Sequence, residues 1–186
     1  MDKNESIAAI EEEIRRTNTE LARVLTSQGQ FVTAAESLTG GMICSSFVDI
    51  PGSSDWFSDG FVTYSNEAKI MRLGVPYMLI SKHTAVSSEV AMAMAQGALH
   101  RSGADYAVAV TGLAGPFEDE NGVPYPMDPR HERGLVFVAA AYAGGACVRR
   151  CVFSGNRTEV RKKTNRQAVI MLKKLVQSAQ QYGIIK

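Results

Sequence analysis

The chain lacks any apolar run long enough to cross a bilayer, and its first residues, Met1-Asp2-Lys3-Asn4-Glu5, hold no apolar signal core. It has little cysteine: Cys44, Cys147 and Cys151 are an odd number without metal-ligand spacing. That argues against a disulfide framework and against a resident metal, and for buried free thiols in a reducing cytoplasm. It also lacks an excess of one charge. Twenty basic and nineteen acidic side chains nearly cancel, which is not the electrostatic footprint of a nucleic-acid binder. The local cluster Arg157, Arg161, Lys162, Lys163 and Arg166 reads as a solvated helix face. No internal repeat and no long linker interrupts the 186 residues, so a single domain over 1–186 is expected. Its three histidines, His83, His100 and His131, fall in no catalytic motif.

What is present is a regular alternation of patterns. Ile7, Ile10, Ile14, Leu21, Val24 and Leu25 recur at helical spacing over 5–28. Phe31 to Glu36 is a short apolar run suited to a buried strand, and Met42 to about Asp49 is helical, ended by Pro51-Gly52. Gly60 to Tyr64 reads as a second strand. A short helix follows, capped by Ser65 or Asn66 and stopped by Gly74. Ser87-Ser88-Glu89 opens a longer Ala- and Met-rich helix to about Arg101. Asp105 to Val110 is a continuous apolar run, as in a central strand buried on both faces. Residues 112–133 carry no periodic pattern. Leu135–Tyr142 and Ala146–Phe153 form a hairpin around Gly144-Gly145, and Asn156 with Glu159 caps a last helix from Arg157 to Gln181. This order predicts an α/β domain, a three-layer α/β/α sandwich on a mixed, mostly parallel sheet with one antiparallel strand from the hairpin.

Ligands of such sheets bind beyond the carboxyl ends of the strands. Polar residues gather at those predicted ends: Ser37 after strand one, Tyr64 and Asn66 after strand two, Thr111 and Gly112 after strand three, and Arg157 after the last strand. Ser37 stands on a strand-to-helix turn, Ala35-Glu36-Ser37-Leu38-Thr39-Gly40-Gly41. Such a turn can expose a hydroxyl and offer backbone N–H groups to an oxyanion or phosphate, although a serine there is also an ordinary helix cap. With no histidine in reach by motif, the available base is Lys69, in a Ser–Lys arrangement that requires a neutral amine. Tyr64 could relay a proton or orient the lysine. Thr111 could donate to a substrate, and Arg157 could hold an anion bidentately.

These residues lie in strings that resemble the C-terminal domain family of CinA, the competence/damage-inducible proteins. The strings are Ala35 to Gly41, Asp49 to Ser54, Gly60 to Lys69, Leu73 to Val75, Ala85 to Ser87, Ala104 to Pro116 and Phe153 to Arg157. The resemblance covers roughly residues 10–178. It implies an α/β/α sandwich and a nicotinamide-nucleotide amidase that turns nicotinamide mononucleotide into nicotinate mononucleotide and ammonia. It implies Ser37 as nucleophile, Lys69 and Tyr64 as its activating pair, Thr111 and Arg157 as further site residues, no metal or organic cofactor, and a homodimer. Oxyanion donors are then expected around Thr39, Gly40 and Gly41 or Thr111 and Gly112, and substrate contacts from these residues, Asn66 and Arg157. The expected partner is a small pyridine nucleotide, with neither nucleic acid nor membrane.

Two departures from the family pattern stand out. Leu38 replaces the usual Cys or small residue. The loop from Phe117 to Arg133 is longer and more acidic, and lacks the usual Lys-Pro before Gly-Thr-Val. Acidic groups near a phosphate weaken its binding. The loop therefore keeps two other readings open: a non-catalytic nucleotide-binding paralogue, or an amidase for a different small amide.

Overall fold

The structure, a computed structural model, describes residues 6–118, 121–124 and 126–181. Five strands form one sheet in the order β2-β1-β3-β4-β5. They are β1 (Val32–Glu36), β2 (Phe57–Val62), β3 (Tyr106–Gly112), β4 (Leu135–Tyr142) and β5 (Gly145–Val152). β1 pairs in parallel with β2 and β3, and β4 is antiparallel to both β3 and β5. Four strands thus run one way and β4 opposes them, a mixed sheet of the expected kind. The exits of β1, β2, β3 and β5 lie along the same edge. The chain leaves β1 to one side and returns on the other, so β1 is the switch point where a crevice opens.

Helices cover both faces. On one lie α1 (Ile7–Gln28), α2 (Met42–Val48) and α6 (Arg157–Gln181), and on the other α3 (Asn66–Leu73), α4 (Tyr77–His83) and α5 (Ser88–Ser102). Strand side chains alternate between the two. Val32, Tyr106, Val108, Val110, Val136 and Val138 face α1 and α6, whereas Ala35, Ala107, Ala109, Ala139 and Ala141 face α5. The alanine face has no bulk, and α5 meets it with Ala91, Ala95 and Ala98, so helix and sheet approach closely.

The sequence reading omits α4. Seven residues carry too few turns to show a period, and Pro76 at its start supplies no side-chain cap. β2 also differs from its expected bounds of 60–64. It begins at Phe57, paired to Val32 across an irregular register, and ends before Thr63 and Tyr64. Gly60 is an interior residue of β2 because α2 rests on it: an added Cβ would lie 2.4 Å from Cys44 Sγ. Cys44 is half-buried and Cys151 buried, but Cys147 on the edge strand β5 is exposed, contrary to the expectation of buried thiols. No helix among the described residues is long and apolar enough to cross a membrane, and no three His, Cys, Asp or Glu among them could share a metal ion.

α5 packs tightly against α3. A Cβ on Gly97 would lie 2.0 Å from the Leu73 carbonyl oxygen, and backbone cannot yield as a flexible side-chain end can. Gly97→Ala is expected to destabilise the protein by about 1–3 kcal/mol through overpacking, despite the better helix propensity of alanine. Urea unfolding of the two proteins side by side measures it, and a stability equal to or above wild type would refute the close contact.

Candidate active site

The turn after β1 is built around a buried acid. Glu36 continues the alternation of Val32 and Ala34, so its side chain enters the α2 side of the sheet, where it is fully buried. A carboxylate there requires hydrogen bonds. It accepts three, from the N–H groups of Gly41 at 2.9 Å, Ile43 at 3.1 Å and Cys44 at 2.8 Å. These are the orphan donors at the start of α2, which Glu36 therefore caps from below. Gly40 and Gly41, at φ +61° and +96°, let the chain double back over it. From the other side Arg161 of α6 donates through Nε to the Leu38 carbonyl at 3.1 Å and through Nη2 to the Thr39 carbonyl at 2.7 Å. Ser37 stands on this doubly held turn, with its own N–H bonded to the Val110 carbonyl at 3.1 Å.

Lys69 meets Ser37 from the next element. Ser65 Oγ caps α3 by accepting from the Ala68 N–H, and Lys69 lies one turn in, facing the sheet and 1% exposed. Its Nζ has three oxygen neighbours: Thr63 O at 2.8 Å, Ser37 Oγ at 3.1 Å and Tyr64 O at 3.2 Å. Two of these are carbonyls, which only accept. They take two N–H bonds of the amine. The third direction belongs to Ser37, which receives an N–H from the ammonium or donates its O–H to the lone pair of the neutral amine. Burial pulls the Lys69 pKa down from 10.5 to about 8, against a smaller opposing effect of Glu67.

A cavity of about 360 Å³ opens onto this pair, within the size range of small-ligand pockets. Ser37, Tyr64, Lys69, Thr111, Gly112 and Arg157 all line it, so four segments distant in sequence meet at one edge of the sheet. Thr111 is buried and donates through Oγ1 to the Ala85 carbonyl at 2.7 Å, which fixes the Ala85-Val86 side of the cavity. Arg157, on the first turn of α6, donates to the Gly115 carbonyl and approaches the Tyr64 hydroxyl at 3.4 Å. The Tyr64 side chain thus faces Arg157. Its contact with Lys69 is made by its backbone carbonyl, so it orients the lysine without a phenol–amine bond.

Four expected residues are placed elsewhere. Thr39, Gly40 and Gly41 do not line the cavity. The Gly40 N–H is spent on the Ser37 carbonyl at 3.2 Å and the Gly41 N–H on Glu36, so neither is free for an oxyanion. Asn66 is exposed and outside the cavity, and Ser65 is the cap. The N–H of Leu38, next after the nucleophile candidate, has no hydrogen-bond partner among the described residues. Sequence reasoning missed two supports. Arg161 reads in the sequence as part of a solvated basic face, although its place four residues after Arg157 puts both on one face of α6. Glu36 carried a signal of its own, a lone charge ending an otherwise buried strand.

A model of the CinA C-terminal domain matches residues 14–176. The chain belongs to that family. It is 42% identical over 158 residues to the nicotinamide-nucleotide amidohydrolase PncC of Escherichia coli K12, a match covering 84% of this chain and 91% of that one. It is 43% identical to a CinA-like protein of Geotalea uraniireducens, covering 84% of this chain and only 36% of that relative's length. Among solved structures, the competence/damage inducible protein CihA of Agrobacterium tumefaciens has a TM-score of 0.78 at 38% identity, covering 94% of this chain and 99% of that one. The competence damage-inducible protein A of Klebsiella pneumoniae has a TM-score of 0.76 at 33% identity, covering 87% and 95%.

Where the chain departs from other CinA domains, its own packing resolves the effect. Leu38 is 5% exposed and belongs to the larger core cluster, so its bulk is absorbed mainly by the fold. The acids of the 117–133 loop are matched by arginines: Glu118 with Arg133 at 2.6 Å, Asp128 with Arg130 at 2.6 Å, and Glu132 with Arg150. Asp119 and Glu120 lie outside the described residues. Among the described residues, no acidic side chain lines the cavity.

Glu36→Gln tests the support of the turn. The amide keeps one acceptor and turns an NH₂ donor toward N–H groups that need acceptors, so the loss expected is about 2 kcal/mol in urea unfolding. A variant as stable as wild type would remove Glu36 as the support of Ser37.

Proposed function

We propose that this chain hydrolyses the carboxamide of nicotinamide mononucleotide, giving nicotinate mononucleotide and ammonia through an acyl-enzyme on Ser37. The observation that carries the reading is the 3.1 Å contact between Ser37 Oγ and a buried Lys69 amine whose other neighbours are carbonyl oxygens. The name of the Escherichia coli relative supports the choice of substrate.

The steps follow from the donors and acceptors present. Neutral Lys69 takes the Ser37 proton as the oxygen attacks the amide carbon. The Leu38 N–H is the donor we assign to the oxyanion, a contribution typically worth about 3 kcal/mol to the barrier. The Lys69 ammonium then returns the proton to the amide nitrogen, and ammonia leaves. Water, losing its proton to the same amine, attacks the ester carbon; the acyl–Oγ bond breaks, the Lys69 ammonium returns that proton to Ser37 Oγ, and the acid is freed. Arg157 at the rim supplies the cation for the phosphate, next to the Tyr64 ring.

Two measurements test this. Purified protein is expected to release ammonia from nicotinamide mononucleotide, and Ser37→Ala to reduce the rate at least about 10³-fold, as loss of a nucleophile does. Because the base is the neutral amine, kcat/KM is expected to fall as pH drops below about 8, the pKa that burial imposes on Lys69. No ammonia from the wild-type protein would overturn the amidase reading. A rate flat from pH 6 to 9 would overturn Lys69 as the base.

A further inference from the structure

The loop between β3 and β4 supplies much of the cavity wall, through Leu113 to Phe117 and through Pro126 and Met127. Three sets of contacts hold it. The Arg133 guanidinium lies over the Phe117 ring, 5.6 Å from its centre, while pairing with Glu118. The ring also packs against Gly115, where a Cβ would lie 3.0 Å from its Cε2 edge. Further along, Arg130 donates to the Lys82 carbonyl at 3.3 Å, and His131 Nε2 shares a hydrogen bond with Thr84 Oγ1 at 2.9 Å.

Thr84 directly precedes Ala85 and Val86, two residues of the same cavity's wall. It is the non-glycine residue with positive φ among the described residues, at +68°. A branched residue there is held against its own preference by neighbours. Its N–H bonds to the Ile80 carbonyl, its hydroxyl reaches the Val86 carbonyl, and its carbonyl accepts from Ser87 Oγ. Ala85 and Val86, which follow it, line the cavity opposite the loop. The His131–Thr84 bond therefore ties one wall to the other.

With the described acids engaged by arginines, the loop offers the cavity Phe117, Pro126 and Met127, apolar surface beside the cation of Arg157. A ligand that uses both features is a planar ring with an anion a short spacer away. Resting on the amidase reading, we propose that Phe117 and Met127 are specificity-determining residues that contact the aromatic ring of the substrate amide, so that this loop selects ring-bearing anions over ring-less ones. An aromatic ring against a phenyl ring and a thioether gains from area burial and from ring and sulfur contacts. The contrast with a sugar phosphate alone therefore measures the wall and not the phosphate seat.

The test is calorimetric titration of Ser37→Ala protein, which cannot turn the substrate over, with nicotinamide mononucleotide and with ribose 5-phosphate. Adding Phe117→Ala and Met127→Ala is expected to weaken the nucleotide about ten-fold while ribose 5-phosphate changes less than about two-fold. Phe117→Leu with Met127→Leu is expected to recover part of the loss. Both side chains are half-buried on a loop, and circular dichroism checks the fold of each variant. Equal weakening of both ligands, or of neither, would overturn the proposal. Ammonia release by wild type is read separately. Ring-selective binding without turnover would sink the amidase reading and leave the wall standing. Turnover with wall-independent binding would sink the wall alone, and binding of neither ligand would sink both.

Discussion

An amine held out of water between two backbone carbonyls and one hydroxyl is the interaction on which the rest of this structure turns. Burial brings the Lys69 pKa down to about 8, so the neutral amine is within reach near neutral pH, where a lysine at 10.5 stays charged. The change disfavours the ammonium by about 3 kcal/mol relative to water, a sum that must be met by packing elsewhere. α3 meets it by being short, capped at both ends and pressed onto α5. Ser65 starts the helix, and Gly74, in the left-handed region, ends it with its N–H on the Ile70 carbonyl. Gly97 lets the Leu73 carbonyl sit against α5. The chemistry at Nζ thus depends on a glycine of another helix, α5, that touches no reacting group.

The two helical layers are secured differently. On the α5 face, close approach of alanine to alanine leaves little tolerance for added volume. On the opposite face larger side chains interlock, and α1 and α6 are further matched by ion pairs: Lys162 with Glu11, Arg166 with Glu13, and Lys173 with Glu20. Pairs at the surface contribute about 0–1 kcal/mol each, and these are only partly exposed, so the apolar seam of Ile10, Ile14, Leu21, Val169, Leu172 and Val176 holds the helices and the charges select their register. The basic run that reads as a solvated face in the sequence is therefore divided between α1, the β1–α2 turn and the loop before α6, where Lys163 bonds the Ser154 carbonyl.

Much of this was legible beforehand, for identifiable reasons. The strands and long helices follow from period. The edge on which Ser37, Tyr64, Thr111 and Arg157 meet follows from parallel strands sharing their carboxyl ends. The cap of α6 is the reciprocal pair read from Asn156 and Glu159, with bonds of 2.7 and 3.0 Å. What escaped was decided by side chains reaching across the fold. Whether the N–H groups behind Ser37 face a ligand or a protein acid depends on Glu36 turning inward, and a strand pattern alone does not price that turn. The start of β2 has the same origin: the pattern begins the strand at Gly60, but the strand starts at Phe57 and Gly60 lies inside it as a contact surface for Cys44.

The loop after β3 shows why composition is a poor guide to local field. Its acids, counted in sequence, argue for repulsion of a phosphate. In the fold Glu118, Asp128 and Glu132 each face an arginine, and the hydrogen bonds of Arg130 hold Asp128 well below the usual carboxylate range, so that pair stays ionised and compensated. A charge paired at 2.6 Å presents to a site several ångströms away the field of a dipole, which falls faster with distance than that of a free carboxylate and is screened further by salt. The cation facing the cavity at its rim, Arg157, is bonded to a carbonyl and a phenol, not to a carboxylate. No carboxylate among the described residues pairs with it, so its charge is available where an anion would enter. The same arginines that neutralise the loop also fix its shape, so electrostatic compatibility and the apolar wall arise from one set of contacts.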